Sequence, residues 1–273
     1  MAMTEPIERA TDAAHPGAGR DPEAVAAFMR FVGPVMRSYF RCDVRGMEHV
    51  PDGGALVVGN HSGGMLTMDL PVFLTGFVDH FGVERPIHLL SHEQLFVEPI
   101  GRVLRSWGLV EASRENAEAL LRDGGVTMVF PGGEYDGSRP FTERNVIDFG
   151  GRTGYVRTAV EAGVPIVPSV SIGGHETQLF LGRGESLIKA TGLNKLYRAR
   201  AIPFSFGFPF GFSAVVPINL PLPSKIVTSV LEPIDPGTKL TKAAIAKVDE
   251  RVRTVMQTEL DALAAERRYP VLG

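Results

Sequence analysis

Cysteine is almost absent from this sequence: Cys42 is the single one in 273 residues. There is therefore no disulfide framework and no cysteine pair for zinc, a usage that fits a reducing compartment and points to the cytoplasm. Charge of either sign is not in excess, with 28 Lys and Arg against 31 Asp and Glu and a formal net charge of −3. That supplies no global field for nucleic acid, which is not an expected partner; an anionic ligand would have to be met by a local cluster of arginines. No apolar run approaches the roughly 20 residues that cross a bilayer as a helix. The opening MAMTEPIERATDAAHPGAG has neither the basic flank nor the apolar stretch of a signal peptide. Spanning a membrane is excluded by this pattern; resting on one is not.

Several catalytic signatures are missing too. There is no G-x-S-x-G nucleophile elbow, no G-x-x-x-x-G-K-[ST] phosphate loop and no G-x-G-x-x-G opening a helix. His92-Glu93 and His175-Glu176 begin like the zinc-protease helix motif but lack the second histidine one turn later. No metal and no bound cofactor are expected.

What the chain does hold is 44% hydrophobic residues arranged in alternating periods. Residues 1–20 read as a flexible tail, disordered or loosely docked, and residues 21–273 as a single domain. Buried-strand runs at ALVV, PIHLLS, VTMVF, VPIVPSVSI and SKIVTSVLEPI alternate with helical stretches near residues 70–78, 153–162 and 242–267, and EQLFVEPIGRVLRSWGLVEASRENAEALLRDGG reads as two helices around a short strand near Leu109. That order predicts an α/β fold, a mostly parallel central sheet flanked by helices. It is preceded by an amphipathic N-terminal helix over residues 21–41, whose apolar face either packs on the body or rests at a lipid interface, with Pro34 as a kink.

One stretch stands apart. In AIPFSFGFPFGFS, Phe204, Phe206, Phe208, Phe210 and Phe212 occupy alternate positions, so an extended chain carries all the rings on one face. Pro203 and Pro209 remove ladder donors and argue for an edge or a loop. The row is either an extended cover over the core or an exposed surface for lipid or a partner.

The candidate chemistry lies in VVGNHSGGMLTMDLP. His61 follows a strand, at the rim where open α/β sheets keep their ligand crevices. A neutral imidazole there can take a proton from a hydroxyl, given a carboxylate to orient it. Asp69 is the nearest aspartate. On a continuous helix eight residues would separate the pair by roughly 12 Å along the axis, so a turn at Ser62-Gly63-Gly64 would have to fold Asp69 back. A satisfied structural histidine is the competing reading.

Four blocks in order, GNHSGG with its later aspartate, EQLFVEPIGRVLRSWGLVEASREN, VFPGGEYDGS and VPIVPSVSI, resemble the glycerolipid and lysophospholipid acyltransferase family over residues 45–174. The resemblance implies that His61 is the general base, with Asp69 as its partner. The family spaces these as histidine, four residues, aspartate, whereas here the fifth residue is Leu66 and the aspartate comes three later. It implies that Arg114, in the second block, contacts an acceptor phosphate; as a residue type at that place it is equally a solvated helix start. The third block, F-P-E-G in the family, is Phe130-Pro131-Gly132-Gly133 followed by Glu134, similar to the branch that acylates neutral acceptors such as diacylglycerol. Gly132, Gly133 and Glu134 are the expected substrate-binding turn, with backbone N–H groups for a developing oxyanion or simply a strand-to-loop turn. Arg139, Arg144, Arg152 and Arg157 follow closely enough to form a cationic patch for a phosphorylated donor.

The implied activity is transfer of a fatty acyl group from acyl-CoA or acyl carrier protein to a hydroxyl of a lysolipid or glyceride, by a protein peripherally associated with a membrane lipid surface. Phe206, Phe208 and Phe210 are then the expected acyl-chain or membrane contacts. A catalytically inactive lipid-binding protein on the same fold, and an acyl-thioester hydrolase with His61 activating water, are the alternatives.

Overall fold

A computed structural model describes residues 15–62, 66–137, 139–182, 204–213, 219–269 and 271. In chain order the elements are α1 (Pro22–Ser38), β1 (Asp43–Arg45), β2 (Ala55–Gly59), α2 (Asp69–Phe81), β3 (Ile87–Ser91), α3 (Ile100–Ser106), β4 (Leu109–Glu111), α4 (Arg114–Arg122) and β5 (Val126–Val129). There follow α5 (Gly133–Gly137), α6 (Gly154–Ala162), β6 (Ile166–Ile172), β7 (Leu179–Gly182), β8 (Phe204–Gly207), β9 (Gly211–Ser213), β10 (Val227–Val230) and α7 (Lys242–Glu266). Seven strands form the main sheet in the order β1-β10-β6-β2-β5-β3-β4. The five strands from β6 to β4 run parallel, and β10 joins β6 antiparallel with β1 parallel beside β10. The fold is α/β, a mostly parallel sheet covered by helices.

The period of two along β2 shows how the layers are built. Ala55 and Val57 face a core with Phe73, Leu74 and Phe77 of α2 and with Val25 and Met29 of α1. Leu56 and Val58 face the other core, with Val156 and Ala159 of α6 and Val252, Met256 and Leu260 of α7. Every residue of β2 and β6 is buried, as a central strand with helices on both faces requires. α1 begins at an Asp21 cap whose Oδ1 accepts the Glu23 N–H at 2.9 Å, has Pro22 at its first position, and continues through Pro34.

One expectation needs adjustment. The phenylalanine row is not one extended edge: β8 is the middle strand of a separate three-stranded sheet, β7-β8-β9, and Phe206 lies directly across from Phe212. Pro209 does no harm because it sits in the reversal between β8 and β9, where there is no ladder donor to lose; Pro203 lies outside the described residues. Residues 15–20, expected within the tail, lie against the body. There Arg20 donates to the carbonyls of Val83 and Arg85, His15 Nε2 stands 2.9 Å from Asp123, and Gly17 packs on the His88 ring.

His88 is buried in β3 with Nδ1 lacking a hydrogen-bond partner. Burial, with Arg20 and His15 nearby, pulls its pKa from 6.5 down to about 4. The unfolded chain protonates this imidazole first, so stability is lost as pH falls from about 6.5 towards 4. Urea unfolding at pH 7.5 and pH 4.5 tests it: His88→Gln should lose roughly 1 to 3 kcal/mol less stability between the two pH values than the parent does. Equal losses would show that His88 does not carry this part of the acid sensitivity.

Candidate active site

β2 ends at Gly59, but its pairing does not. The Asn60 side chain donates from Nδ2 to Ser171 O at 2.8 Å and accepts the Ser171 N–H on Oδ1 at 2.7 Å. A carboxamide thus replaces one rung of the β2–β6 ladder while the main chain turns away from the sheet. The next two residues leave the strand direction with two amide donors to satisfy in a buried place, and an unpaired one would cost about 1 to 3 kcal/mol.

Carboxylates from two different elements meet them. The His61 N–H donates to Asp136 Oδ2 at 2.7 Å, and the Ser62 N–H donates to Asp69 Oδ2 at 2.6 Å. The Ser62 hydroxyl donates to Asp69 Oδ1 at 2.7 Å. Asp69 is the first residue of α2, where the helix dipole favours a negative charge. Gly174, just after β6, has to be glycine here because a Cβ at that position would lie 2.0 Å from Ser62 Oγ. The expected Gly63-Gly64 part of the turn lies outside the described residues.

The His61 ring lies with its centroid 4.5 Å from that of Phe130, tilted by 32°, and Gly137 leaves room for its Cδ2 edge. Nδ1 is buried, 3.6 Å from Asp69 Oδ2, with no hydrogen-bond partner among the described residues. That separation is an ion-pair distance rather than a hydrogen bond, and such contacts often tighten only when substrate is bound. With 18% of the side chain exposed, the accessible edge is the one away from Asp69. So the structure brings His61 and Asp69 together despite their spacing.

Two further titratable groups close the site. Asp136 is buried, and burial pushes its carboxyl up to about 6 against the opposing pull of Arg139 and the His61 N–H. His175 is buried after β6, with Nδ1 unpartnered; burial lowers it to about 4, opposed by Asp69, so it is a neutral imidazole at pH 7. Ser62, the hydroxyl beside the histidine, is buried and committed to Asp69, a poor disposition for a nucleophile.

The remaining expected residues fall as follows. Gly132 and Gly133 form the turn after β5, with Gly133 at φ +49°, but the Gly133 N–H already donates to Phe130 O at 3.0 Å. Glu134 stands 3.6 Å from Arg152, which also donates to Gly132 O at 2.7 Å. Arg114 opens α4 after β4, three strand spacings or about 14 Å across the sheet from β2, and its guanidinium is taken up by Glu118 and Glu161. Of the four arginines expected as a cationic patch, Arg139 is 1% exposed and paired with Asp136, so it is withdrawn from any surface. Arg144 and Arg157 stand 3.6 Å from Glu176 and 3.8 Å from Glu161. Phe206, Phe208 and Phe210 are exposed. Sequence reasoning did not single out Asn60 or Asp136, gave Ser62 only a place in the turn, and took Arg139 for a surface cation; the i, i+3 acid and base of EYDGSR were the available signal for the Asp136–Arg139 pair.

The geometry places a histidine on the rim of β6, β2 and β5, backed by a buried carboxylate. Residues 41–172 match the family model described as Acyltransferase. An uncharacterized protein of Mycobacterium tuberculosis is 33% identical over 93% of this chain and 71% of its own length. The mouse protein described as DGAT1/2-independent enzyme synthesizing storage lipids is 27% identical over 77% of this chain and 60% of its own. The crystal structure of the 1-acyl-sn-glycerophosphate acyltransferase PlsC from Thermotoga maritima superposes with a TM-score of 0.56 at 19% identity, covering 88% of this chain and 79% of that one. With three of the four sequence blocks gathered at one rim of the same sheet, and with relatives at this level of identity, the chain belongs to the acyltransferase family.

Proposed function

We propose that this protein transfers a fatty acyl group from an acyl thioester, acyl-CoA or acyl carrier protein, to a hydroxyl of a glycerolipid acceptor, with His61 as general base. The observation that carries the reading is the His61 ring at the sheet rim with Asp69 3.6 Å behind Nδ1. The acceptor hydroxyl gives its proton to the imidazole as its oxygen attacks the thioester carbonyl. Asp69 stabilises the imidazolium that forms. The tetrahedral intermediate then expels the thiolate, which takes the proton back from His61, leaving an ester, a free thiol and an unchanged enzyme. A buried Ser62 has no part in bond making.

The acceptor class is a glyceride without a phosphate. Gly132 and Gly133 stand where the phosphate-using branch carries F-P-E-G, and Arg114 already has two carboxylate partners. The mouse relative's description, synthesis of storage lipids, is in keeping with that class.

The expected site of action is a membrane surface, on the cytoplasmic side. No helix among the described residues is long and apolar enough to cross a membrane, yet large apolar side chains stand exposed. Phe31, 78% exposed, lies one and two turns from Val35 and Tyr39, both also exposed. The Tyr39 hydroxyl donates to Pro221 O at 3.0 Å, and the neighbouring Leu220 N–H donates to Phe208 O at 2.7 Å. The end of α1 and the β8–β9 hairpin that carries Phe206, Phe208 and Phe210 are thus linked through Leu220 and Pro221. A lipid surface would bury these side chains at roughly 25 cal/mol per Å² of apolar area.

Purified protein given radiolabelled palmitoyl-CoA and diacylglycerol should move label into a glyceride ester. His61→Ala should lower that rate by about 10²- to 10⁴-fold with an unchanged circular dichroism spectrum. Label released as free acid would make the protein a hydrolase, and no consumption of thioester would make it a binding protein. In liposome flotation, replacing Phe206, Phe208 and Phe210 by serine should cut the membrane-bound fraction at least about tenfold; undiminished binding would remove these rings from the membrane contact.

A further inference from the structure

The departure of the third block from F-P-E-G raises the question of where its carboxylate went. Position 132 holds glycine, and a Cβ placed there would stand 2.4 Å from Asp136 Cβ, 3.1 Å from its Cγ and 3.2 Å from its Oδ2. The side-chain volume of residue 132 is therefore already filled by the side chain of Asp136, its Cβ foremost and its carboxyl group directly behind. The span from that Cβ to Oδ2 is one that two carbon–carbon bonds and a carbon–oxygen bond can cover. A glutamate at 132 would deliver an oxygen to the place where Asp136 Oδ2 now receives the His61 N–H.

We propose that Asp136 is a positioning residue for His61, supplying from one turn later the carboxylate that F-P-E-G carries at position 132, and that Gly132 is glycine because Asp136 occupies its space. The function assigned to this carboxylate rests on the reading of His61 as the base.

The surroundings leave Asp136 little freedom. Its Oδ1 accepts from Arg139 Nη2 at 2.5 Å, and the same nitrogen donates to Asp148 O at 2.9 Å while Nη1 donates to Val146 O. Both members of the pair are essentially sealed, at 2% and 1% exposure. A buried ion pair whose two Nη groups also donate to main-chain carbonyls has little room to move, and breaking it strands a charge. With Oδ1 held by Arg139, Oδ2 has one fixed direction, and that direction is the His61 amide. Asp69 grips the next amide along. Two consecutive peptide groups are thereby held from opposite elements, α5 and α2, and the imidazole between them inherits its orientation.

A relocation experiment tests this in the full-length protein with palmitoyl-CoA and diacylglycerol. Asp136→Asn places an amide where two donors already point; kcat should fall by about 10- to 100-fold with KM for the thioester nearly unchanged, as a small misplacement of a catalytic group does. Gly132→Glu alone should also lose activity, because two carboxyl groups then compete for one space. Gly132→Glu combined with Asp136→Gly should recover at least about tenfold over Asp136→Asn, a rescue that a residue needed only for packing would not allow. Proton–nitrogen NMR gives a readout independent of turnover: the His61 amide proton, shifted downfield by its charged partner, should move upfield in Asp136→Asn and return in the double variant. Full kcat in Asp136→Asn, no gain in the double variant, or an unmoved His61 amide would each overturn the assignment. If the parent catalyses no transfer, the functional reading fails, while the amide shifts still decide whether Asp136 holds His61.

Discussion

Two buried carboxylates taking hold of two consecutive backbone amides is the constraint on which the site depends. Asp136 receives the His61 N–H and Asp69 the Ser62 N–H, at 2.7 and 2.6 Å. Charge-assisted bonds of this length are among the stronger ones available to a chain. Here they act where β2 has ended and the backbone has no ladder to follow. The strand delivers the histidine to the rim, the carboxylates fix the direction it faces, and the helix starting at Asp69 supplies one of them from seven residues away.

The sheet order explains why distant segments share this rim. β2 lies between β6 and β5, all three parallel, so their C-terminal ends place His61, the Phe130–Gly133 turn and the Gly174–His175 turn side by side. Crevices form at such ends in open α/β sheets. The Asn60 carboxamide on Ser171 makes the splay between β2 and β6 gradual. Glycine at 174 lets the two loops approach closely enough for Ser62 to bury its hydroxyl against Asp69.

Much of this was legible in the sequence because it follows from periodicity and order. The apolar runs of β2, β3, β5 and β6 and the periodic helices between them carry unmistakable patterns, and His61 stands where a buried strand stops. β1 escaped notice because Asp43–Arg45 is three residues long and polar at both ends. The phenylalanine row misled in one respect: alternation reads the same for one extended strand and for a hairpin, and the reversal at Pro209 brings Phe206 across from Phe212. Arg114 shows the other limit. A motif tells which residue type follows β4, but not that Glu161, from α6, reaches the same guanidinium. Asp136 was hidden for a similar reason and Arg139 read as a surface cation, since an acid and a base three apart look like an ordinary surface pair until burial makes them the anchor of a loop.

In the function proposed above, the exposed apolar side chains of α1 and of the β8–β9 hairpin and the histidine rim serve one end, in which a greasy acceptor and a polar thioester meet at a base. Central to that account is direct transfer, with the alcohol deprotonated by His61 and Ser62 sealed away from the chemistry. Intact-mass spectrometry of the protein quenched during steady turnover of an acyl thioester tests this most directly. The account predicts the unmodified chain mass throughout; a population heavier by one acyl group, mapped to Ser62, would contradict it.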